Sequence, residues 1–415
     1  MSPLSPPVSS GSTTGNHARM AVIGSVCAIF FPGSLIFGFP GLMGPVWRDM
    51  LQLQSGALSY TMFFMLASLG IFMFFVGKWT ATLGVSRLMA IGTLLTSAAT
   101  VMIAFVSAVW MVYLWAFLVG SASCFIYSTG INTAQRWFPH KRGLVSGIVN
   151  LTFGISAAIM VPLYRWLLVL IGYQALCLMV GVLCLAVGLW ASRYTELPQV
   201  VISGPANLTV HHPASSPPDM LPGEAVRTRN FWLIWGVWAL MGASGVTMVT
   251  VSVNFGLYRG YELSAAVAIL TAFNITNGFS RIISGALSDR IGRKITLSLS
   301  FFATGLAYLA LPASHSLLML SLLAAAIGFG YGTLFATSAP MISDCFGLKH
   351  FGVILGMVFT AYGFVASVIG PAVSGYLLSI THQDYTLVFR YLAVLALISA
   401  GLIMGVKPPV SKVPL

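Results

Sequence analysis

The sequence predicts an all-α integral membrane protein with twelve transmembrane helices in two six-helix halves. Of its 415 residues only 7% are charged and 58% are hydrophobic, and the mean hydropathy is +0.92. Apolar runs of about 20 residues, enough for a helix to cross roughly 30 Å of hydrocarbon, follow one another with short polar breaks. Residues 61–76 are apolar on every face, whereas the strands of a membrane β-barrel alternate. The composition excludes an ordinary soluble domain.

The apolar runs locate the helices in chain order. The first half, residues 20–192, contains predicted helices at 20–44, 57–80, 85–106, 109–134, 143–166 and 169–192. The second half, residues 229–407, contains predicted helices at 229–257, 264–286, 294–312, 316–340, 350–377 and 385–406. Residues 1–19 lack the apolar core of a signal peptide and are predicted to form a disordered cytoplasmic tail, like residues 408–415. Residues 193–228, which are rich in proline, predict a flexible cytoplasmic linker.

The basic residues predict the orientation in the cell membrane. Fifteen of the twenty Lys and Arg residues fall on the side that carries both termini and the linker, and four fall on the other side. By the positive-inside rule the termini and the linker are therefore cytoplasmic. The net charge of +12 follows from this bias, so the sequence indicates contact with membrane lipids and not with nucleic acid. The remaining basic residue, Arg281, lies within an apolar helix.

Arg281 is the strongest functional signal in the sequence. A cation at the bilayer centre costs about 2.5–3.5 kcal/mol, so it usually faces a cavity or a partner. Polar residues recur at helical spacing along one face of the same helix: Asn274, Asn277, Arg281, Ser284 and Ser288. A guanidinium group binds a carboxylate through two parallel hydrogen bonds, and Asn277 lies one turn away. We therefore predict an anion site, the alternative being that Arg281 only contacts backbone carbonyls or helix ends.

Other candidate binding residues come from aromatic and kinked segments. Tyr331 and Phe335 lie one turn apart after a glycine-rich run and would suit the apolar side of a pocket, with the Tyr331 hydroxyl available to a 2-hydroxyl or 2-oxo group. Proline and glycine between Phe37 and Pro45 predict a kink near Leu35 and Phe39. Four weaker candidates, for which core packing is the alternative reading, are Tyr127, Asn150, Phe359 and Tyr362.

The acidic residues and cysteines limit the chemistry. All eight Asp and Glu residues fall in predicted loops or at helix ends, so no intramembrane carboxylate is available to titrate during a transport cycle. A weak acid carried in its protonated form is one hypothesis for proton coupling. The five cysteines show no CxxC or His-paired spacing, and no cluster of catalytic residues lies at membrane depth, so we predict no metal, no cofactor and no enzymatic activity.

The segment from Gly285 to Lys294, Gly-Ala-Leu-Ser-Asp-Arg-Ile-Gly-Arg-Lys, resembles the loop motif of the major facilitator superfamily. The first half keeps the glycines of this motif but has Ala81 in place of the acid. The resemblance implies gating of the cytoplasmic side by ion pairs, a role that falls here on Gly285, Asp289, Arg290 and Arg293.

Two further segments narrow the resemblance. Residues 136–147, which contain Arg136 and Arg142, look like the entry to helix five of the monocarboxylate transporters and the oxalate–formate exchangers, and both arginines are assigned to gating by this resemblance. Residues 227–232 resemble the start of helix seven in the exchangers. Arg281 then corresponds to the substrate-binding arginine of the monocarboxylate carriers.

Three departures from these families affect the expected mechanism. Asn277 and Gly41 stand where the mammalian lactate carriers have an aspartate and a lysine, so their proton relay does not carry over. The predicted helix 350–377 contains no Lys or Arg, unlike the corresponding helix of the oxalate exchangers. The resemblance implies a monomeric, proton-coupled symporter of a monocarboxylate such as lactate or pyruvate, working by alternating access. An oxalate–formate exchanger and a non-transporting carboxylate sensor are the alternatives.

Overall fold

The computed structural model describes residues 11–53, 57–138, 142–196, 219–347 and 350–407, and this part of the chain is helical without any strand. The helices of the first half are α1 Gly11–Phe37, α2 Phe39–Leu51, α3 Tyr60–Leu83, α4 Val85–Ile103, α5 Val109–Trp137 and α6 Arg142–Ser192. The remaining helices are α7 Pro222–Val226, α8 Arg229–Tyr258, α9 Leu263–Ile291, α10 Arg293–Ala310, α11 Leu317–Phe346, α12 Phe351–Thr360, α13 Val373–Ile380 and α14 Tyr385–Met404.

Ten helices of the described residues are long and apolar enough to cross a membrane. One of them lies within α6, where two helices meet at Gly172, whose φ of 78° and ψ of 172° interrupt the helical geometry. The apolar part of α3, Tyr60–Met73, is shorter than a full span. The predicted total of twelve is therefore reached by dividing α6 at Gly172 and by counting α3.

The first helix differs from its prediction at one end and agrees with it at the other. It begins at Gly11, so residues 11–19, predicted as part of the tail, are helical. Beyond Pro7 no proline interrupts this stretch, and polar residues outside the bilayer do not prevent a helix from continuing. At the other end α1 stops at Phe37 and α2 starts after Gly38, as the proline and glycine pattern predicts. Most of the predicted linker, residues 197–218, and both chain ends, 1–10 and 408–415, lie outside the described residues.

The predicted helix 350–377 contains two π-helical segments, Ala361–Ala366 and Val368–Ala372, between α12 and α13. Pro371 lies within the second segment. Proline has no N–H to donate and its ring crowds the carbonyl one turn earlier, so the chain here takes wider turns. Ser367 donates its hydroxyl to the Gly363 carbonyl at 2.7 Å. Sequence periodicity predicted a helix here and did not predict the wider turns.

Polar side chains within the spans mostly bond to their own helices. Thr96 Oγ1 donates to the Gly92 carbonyl at 2.9 Å, and Ser300 Oγ donates to the Thr296 carbonyl at 2.8 Å. Such bonds satisfy a hydroxyl group where no water is present.

Glycines bring helices of the two halves together at mid-depth. A Cβ atom on Gly154 of α6 would lie 3.0 Å from the Gly278 Cα of α9, and one on Gly363 would lie 2.6 Å from the Gly70 Cα of α3. A Cβ on Gly41 of α2 would lie 2.3 Å from the Val249 carbonyl oxygen of α8. Small residues allow this approach because backbones meet directly. The two halves therefore pack closely at mid-depth and at the end of the bundle away from the termini.

Candidate functional site

Arg281 lies on α9 with only 4% of its surface exposed. Its Nη1 group donates to the Asn150 carbonyl oxygen of α6 at 3.1 Å, and Nη2 donates to Asn277 Oδ1 at 3.4 Å. The buried Nε group has no hydrogen-bond partner among the described residues. Gly154 makes room for it, because a Cβ atom there would lie 3.1 Å from Nε. The guanidinium group therefore sits at the contact between the two halves with donors still available.

Two aromatic rings flank this guanidinium group. Its central carbon lies 4.7 Å from the Phe335 ring centroid and 5.9 Å from that of Phe37. All eight acidic residues of the chain are among the described residues, and all eight side chains are exposed. The three ion pairs found in the described part involve other arginines. The rings stabilise the cation, but in the described part of the chain no carboxylate neutralises it.

Three tyrosines form short hydrogen bonds near Arg281. Tyr127 donates its hydroxyl to Asn150 Oδ1 at 2.5 Å, and the Tyr331 and Tyr362 hydroxyls lie 2.5 Å apart. Asn150 therefore accepts a hydrogen bond from Tyr127 through its side-chain oxygen and one from Arg281 through its backbone carbonyl oxygen. The Tyr331 hydroxyl, predicted to be available to a substrate, shares a hydrogen bond with the Tyr362 hydroxyl in which either oxygen can be the donor.

A cavity lies between the two halves, and the empty space in and around it, about 530 Å³, includes open solvent. Both halves contribute to its lining: Ile36, Phe37, Leu69, Gly70, Met73, Ser123, Tyr127, Phe153, Phe335, Phe359, Tyr362 and Gly363. Phe335 belongs to this lining and also contacts the Arg281 guanidinium group.

Most predicted binding residues come together here. Tyr127, Phe359 and Tyr362 line the cavity with Phe335, and Tyr331 packs against Phe335 at a centroid distance of 5.2 Å. Three other predicted residues, Arg281, Asn277 and Asn150, are outside the lining itself and are connected to it through the contacts of Arg281 with Phe335 and of Asn150 with Tyr127. Two predicted residues lie elsewhere: Leu35 is fully buried in the core outside the cavity lining, and Phe39 packs on Trp115 and Tyr164.

The sequence reading missed three aromatic side chains around the cavity. Phe37 lies over Arg281, Phe153 packs on Phe37 at 5.2 Å, and Trp238 packs on Phe359 at 4.4 Å. Among these three residues, only Phe37 had a signal in the sequence, because it lies next to the predicted break in the first helix. Asn274 donates to the backbone carbonyl of Phe37 at 3.1 Å, which ties α9 to the broken end of α1.

The predicted gating residues lie near one end of the bundle. Arg293 Nη1 contacts Asp289 Oδ1 at 2.5 Å, and its Nε lies 3.4 Å from Asp344 Oδ2 at the end of α11. Arg290 is exposed, and a Cβ on Gly285 would meet open space. Two further residues were assigned to gating: Arg136 donates to Asn132 Oδ1 at 3.1 Å, and the Arg142 side chain lies outside what the structure describes.

The chain is similar to several membrane transporters. It is 27% identical over 243 residues to an oxalate:formate antiporter of Oxalobacter formigenes, an alignment that spans 56% of this chain and about half, 55%, of the antiporter. It is 23% identical over 398 residues to monocarboxylate transporter 13 of Rattus norvegicus, covering 91% of this chain and 87% of that protein.

A similarity in structure extends over nearly the whole chain. The crystal structure of the nucleoside transporter NupG superimposes with a TM-score of 0.70 at 15% identity, over 94% of this chain and 100% of that one. At this identity the match concerns the fold alone. A family model described as Major Facilitator Superfamily matches residues 22–273 and 260–415. The chain is a multi-pass membrane protein that belongs to the Major Facilitator Superfamily.

Proposed function

We propose that this protein transports a small monocarboxylate across the cell membrane by alternating access. The observation that carries the proposal is the buried Arg281 guanidinium group, which has no counter-ion among the described residues. It lies 4.7 Å from the ring of Phe335, which lines a cavity formed by both halves. A carboxylate would supply the missing negative charge and accept the free N–H donors in a site where such bonds are strong. The similarity to a monocarboxylate transporter supports this substrate class.

The number of cations favours a monocarboxylate over a dicarboxylate. The cavity lining contains no lysine or arginine, and residues 351–377 contain none either. The second carboxylate of oxalate would enter an apolar site without a partner, which costs several kcal/mol. The similarity to the oxalate:formate antiporter favours exchange as the second candidate, since formate carries a single charge.

We base our proposals for proton coupling and for the two gates of the transport cycle on the same structure. We assign closure on the side of the termini to Arg293 with Asp289 and Asp344, and closure on the opposite side to the contacts of Phe37 and Asn274. Every acidic side chain is exposed, so the proton of a symport cycle would travel on the substrate's own carboxylate. We further propose cytoplasmic termini, contact with membrane lipids and a monomeric transporter.

The test is uptake of labelled pyruvate and L-lactate into proteoliposomes, with and without an inward proton gradient. We expect gradient-dependent uptake by the wild type and a loss of roughly 100-fold or more in Arg281→Ala, since two charge-assisted hydrogen bonds disappear. Phe302→Leu, a change on the exposed face of α10, is the matched control and should transport normally.

Three other outcomes would redirect the proposal. Oxalate–formate exchange without monocarboxylate uptake would identify the antiporter activity. Carboxylate binding without any uptake would identify a sensor. Uptake that is equal in Arg281→Ala and wild type would remove Arg281 from the site.

A further inference from the structure

Two of the three polar side chains on the cavity wall already donate their hydroxyl protons to other parts of the protein. The cavity lining has three side chains with polar atoms: Ser123, Tyr127 and Tyr362. Ser123 Oγ donates to the Val119 carbonyl at 2.7 Å, and Tyr127 donates to Asn150 Oδ1 at 2.5 Å. Neither hydroxyl is a free donor for a substrate.

The remaining donors converge at the Arg281 end. A guanidinium group has five N–H donors, and the hydrogen bonds of Arg281 to Asn150 and Asn277 use two of them. In the Tyr331–Tyr362 pair one hydroxyl donates to the other, which leaves one O–H free. Tyr331 and Tyr362 pack on Phe335 at centroid distances of 5.2 and 5.7 Å, and the Arg281 guanidinium group contacts the same ring, so this O–H lies in the same region. Donors suited to one carboxylate are therefore concentrated at one place.

The rest of the cavity is apolar and largely aromatic. Phe359 and Phe335 are held from behind by Trp238, at centroid distances of 4.4 and 5.0 Å. Phe153 faces them from the other half, and Leu69 and Met73 complete the wall. Aromatic walls favour an aromatic guest through edge-to-face and offset contacts, in addition to the apolar surface that they bury.

We infer that the site selects a monocarboxylate whose carboxylate binds Arg281 and whose remainder is an aromatic ring without a hydroxyl or oxo group at C2. This inference rests on the proposed function and refines its substrate class. The free O–H of the Tyr331–Tyr362 pair is assigned, together with Arg281, to the carboxylate. A hydroxyl at C2 would then leave water for a wall whose other hydroxyls, Ser123 and Tyr127, already donate elsewhere, and an unpaired buried hydroxyl lowers affinity roughly tenfold or more. Lactate is then a weak ligand of a site built for an arylacetate.

Three carboxylates test separately the requirement for an aromatic ring and the requirement for an unsubstituted C2. Phenylacetate and mandelate differ only by the hydroxyl at C2, whereas phenylacetate and acetate differ by the ring. Binding of each to the purified protein in detergent is measured by titration calorimetry, with L-lactate as a fourth ligand. We expect phenylacetate to bind at least about tenfold tighter than mandelate, acetate or L-lactate.

Variants test whether the ring lies against the proposed wall. Phe359→Leu should weaken phenylacetate binding about fivefold and change acetate binding little, because only the ring contact is reduced. Phe302→Leu, which replaces an exposed phenylalanine on α10, should leave both affinities unchanged. Near-UV circular dichroism of the variants checks that the bundle is intact.

The outcomes separate this inference from the proposed function. If L-lactate or mandelate binds as tightly as phenylacetate, with loss of binding in Arg281→Ala, the monocarboxylate proposal stands and the aromatic inference is wrong. If none of the four carboxylates binds or is transported, both are wrong. Tight phenylacetate binding that is unaffected in Phe359→Leu would overturn the assignment of the ring to this wall.

Discussion

Arg281 on α9 and Arg293 at the start of α10 lie close together in the sequence but have opposite surroundings. Arg281 is 4% exposed and lies between aromatic rings without an acidic partner in the described part of the protein. Arg293, at the start of α10, is partly exposed and contacts both Asp289 and Asp344. A buried charge without a counter-ion is costly and persists where a ligand can supply one, whereas a solvated pair is stable by itself and can open and close. The difference supports the binding role that we propose for Arg281 and the gating role that we propose for Arg293.

Among the variants that test this comparison, Arg281→Lys is expected to change substrate affinity the most. Lysine keeps the positive charge but loses the planar fork, so one of two hydrogen bonds to the carboxylate disappears. We expect substrate affinity to fall roughly tenfold, with partial transport retained. Uptake kinetics in proteoliposomes measure this, and a fully active lysine variant would mean that charge alone is recognised.

A smaller effect is expected from Gly154→Ala, which changes the space beside Arg281. The added Cβ would lie 3.1 Å from Arg281 Nε and 3.0 Å from the Gly278 Cα, so the guanidinium group or the α6–α9 contact must shift. We expect affinity to fall about fivefold, in line with the usual cost of overpacking. Gly401→Ala is the matched control because its Cβ meets open space. Equal affinities in the two variants would show that this contact tolerates a methyl group.

The smallest effect is expected at Arg293. A double-mutant cycle of Arg293→Gln with Asp344→Asn should give a coupling energy below about 1 kcal/mol, since both side chains are partly solvated and their atoms lie 3.4 Å apart. Melting temperatures in detergent and turnover rates measure this coupling, and substrate affinity should not change. A loss of affinity as large as that of Arg281→Lys would contradict the separation of roles.

The fold was predictable because its signals are strong and local. Long apolar runs specify helices wherever water is absent, and the proline and glycine residues after Phe37 mark the break between α1 and α2. Arg281 was found for the same reason: a charge within an apolar run is rare and easily recognised.

The rest of the site depends on contacts that sequence spacing does not encode. Asn150 binds Arg281 through its backbone carbonyl, a group that every residue has. Phe153 and Trp238 are identical in type to many phenylalanines and tryptophans that only pack in the core, so nothing in their local sequence marks them. Leu35 is the opposite case: its place near a predicted kink marked it as a candidate, but the same place is compatible with a fully buried core position.

The wide turns between α12 and α13 affect how this chain is compared with other proteins. Each π turn takes in one residue more than an α turn, and at about 3.6 residues per turn one residue corresponds to about 100° of rotation. An alignment to a relative with a regular helix therefore needs a gap within residues 361–372, or it will match side chains that face different neighbours. Position-by-position transfer of function along this helix is unsafe without that gap. The lack of Lys and Arg between residues 351 and 377 holds in any alignment.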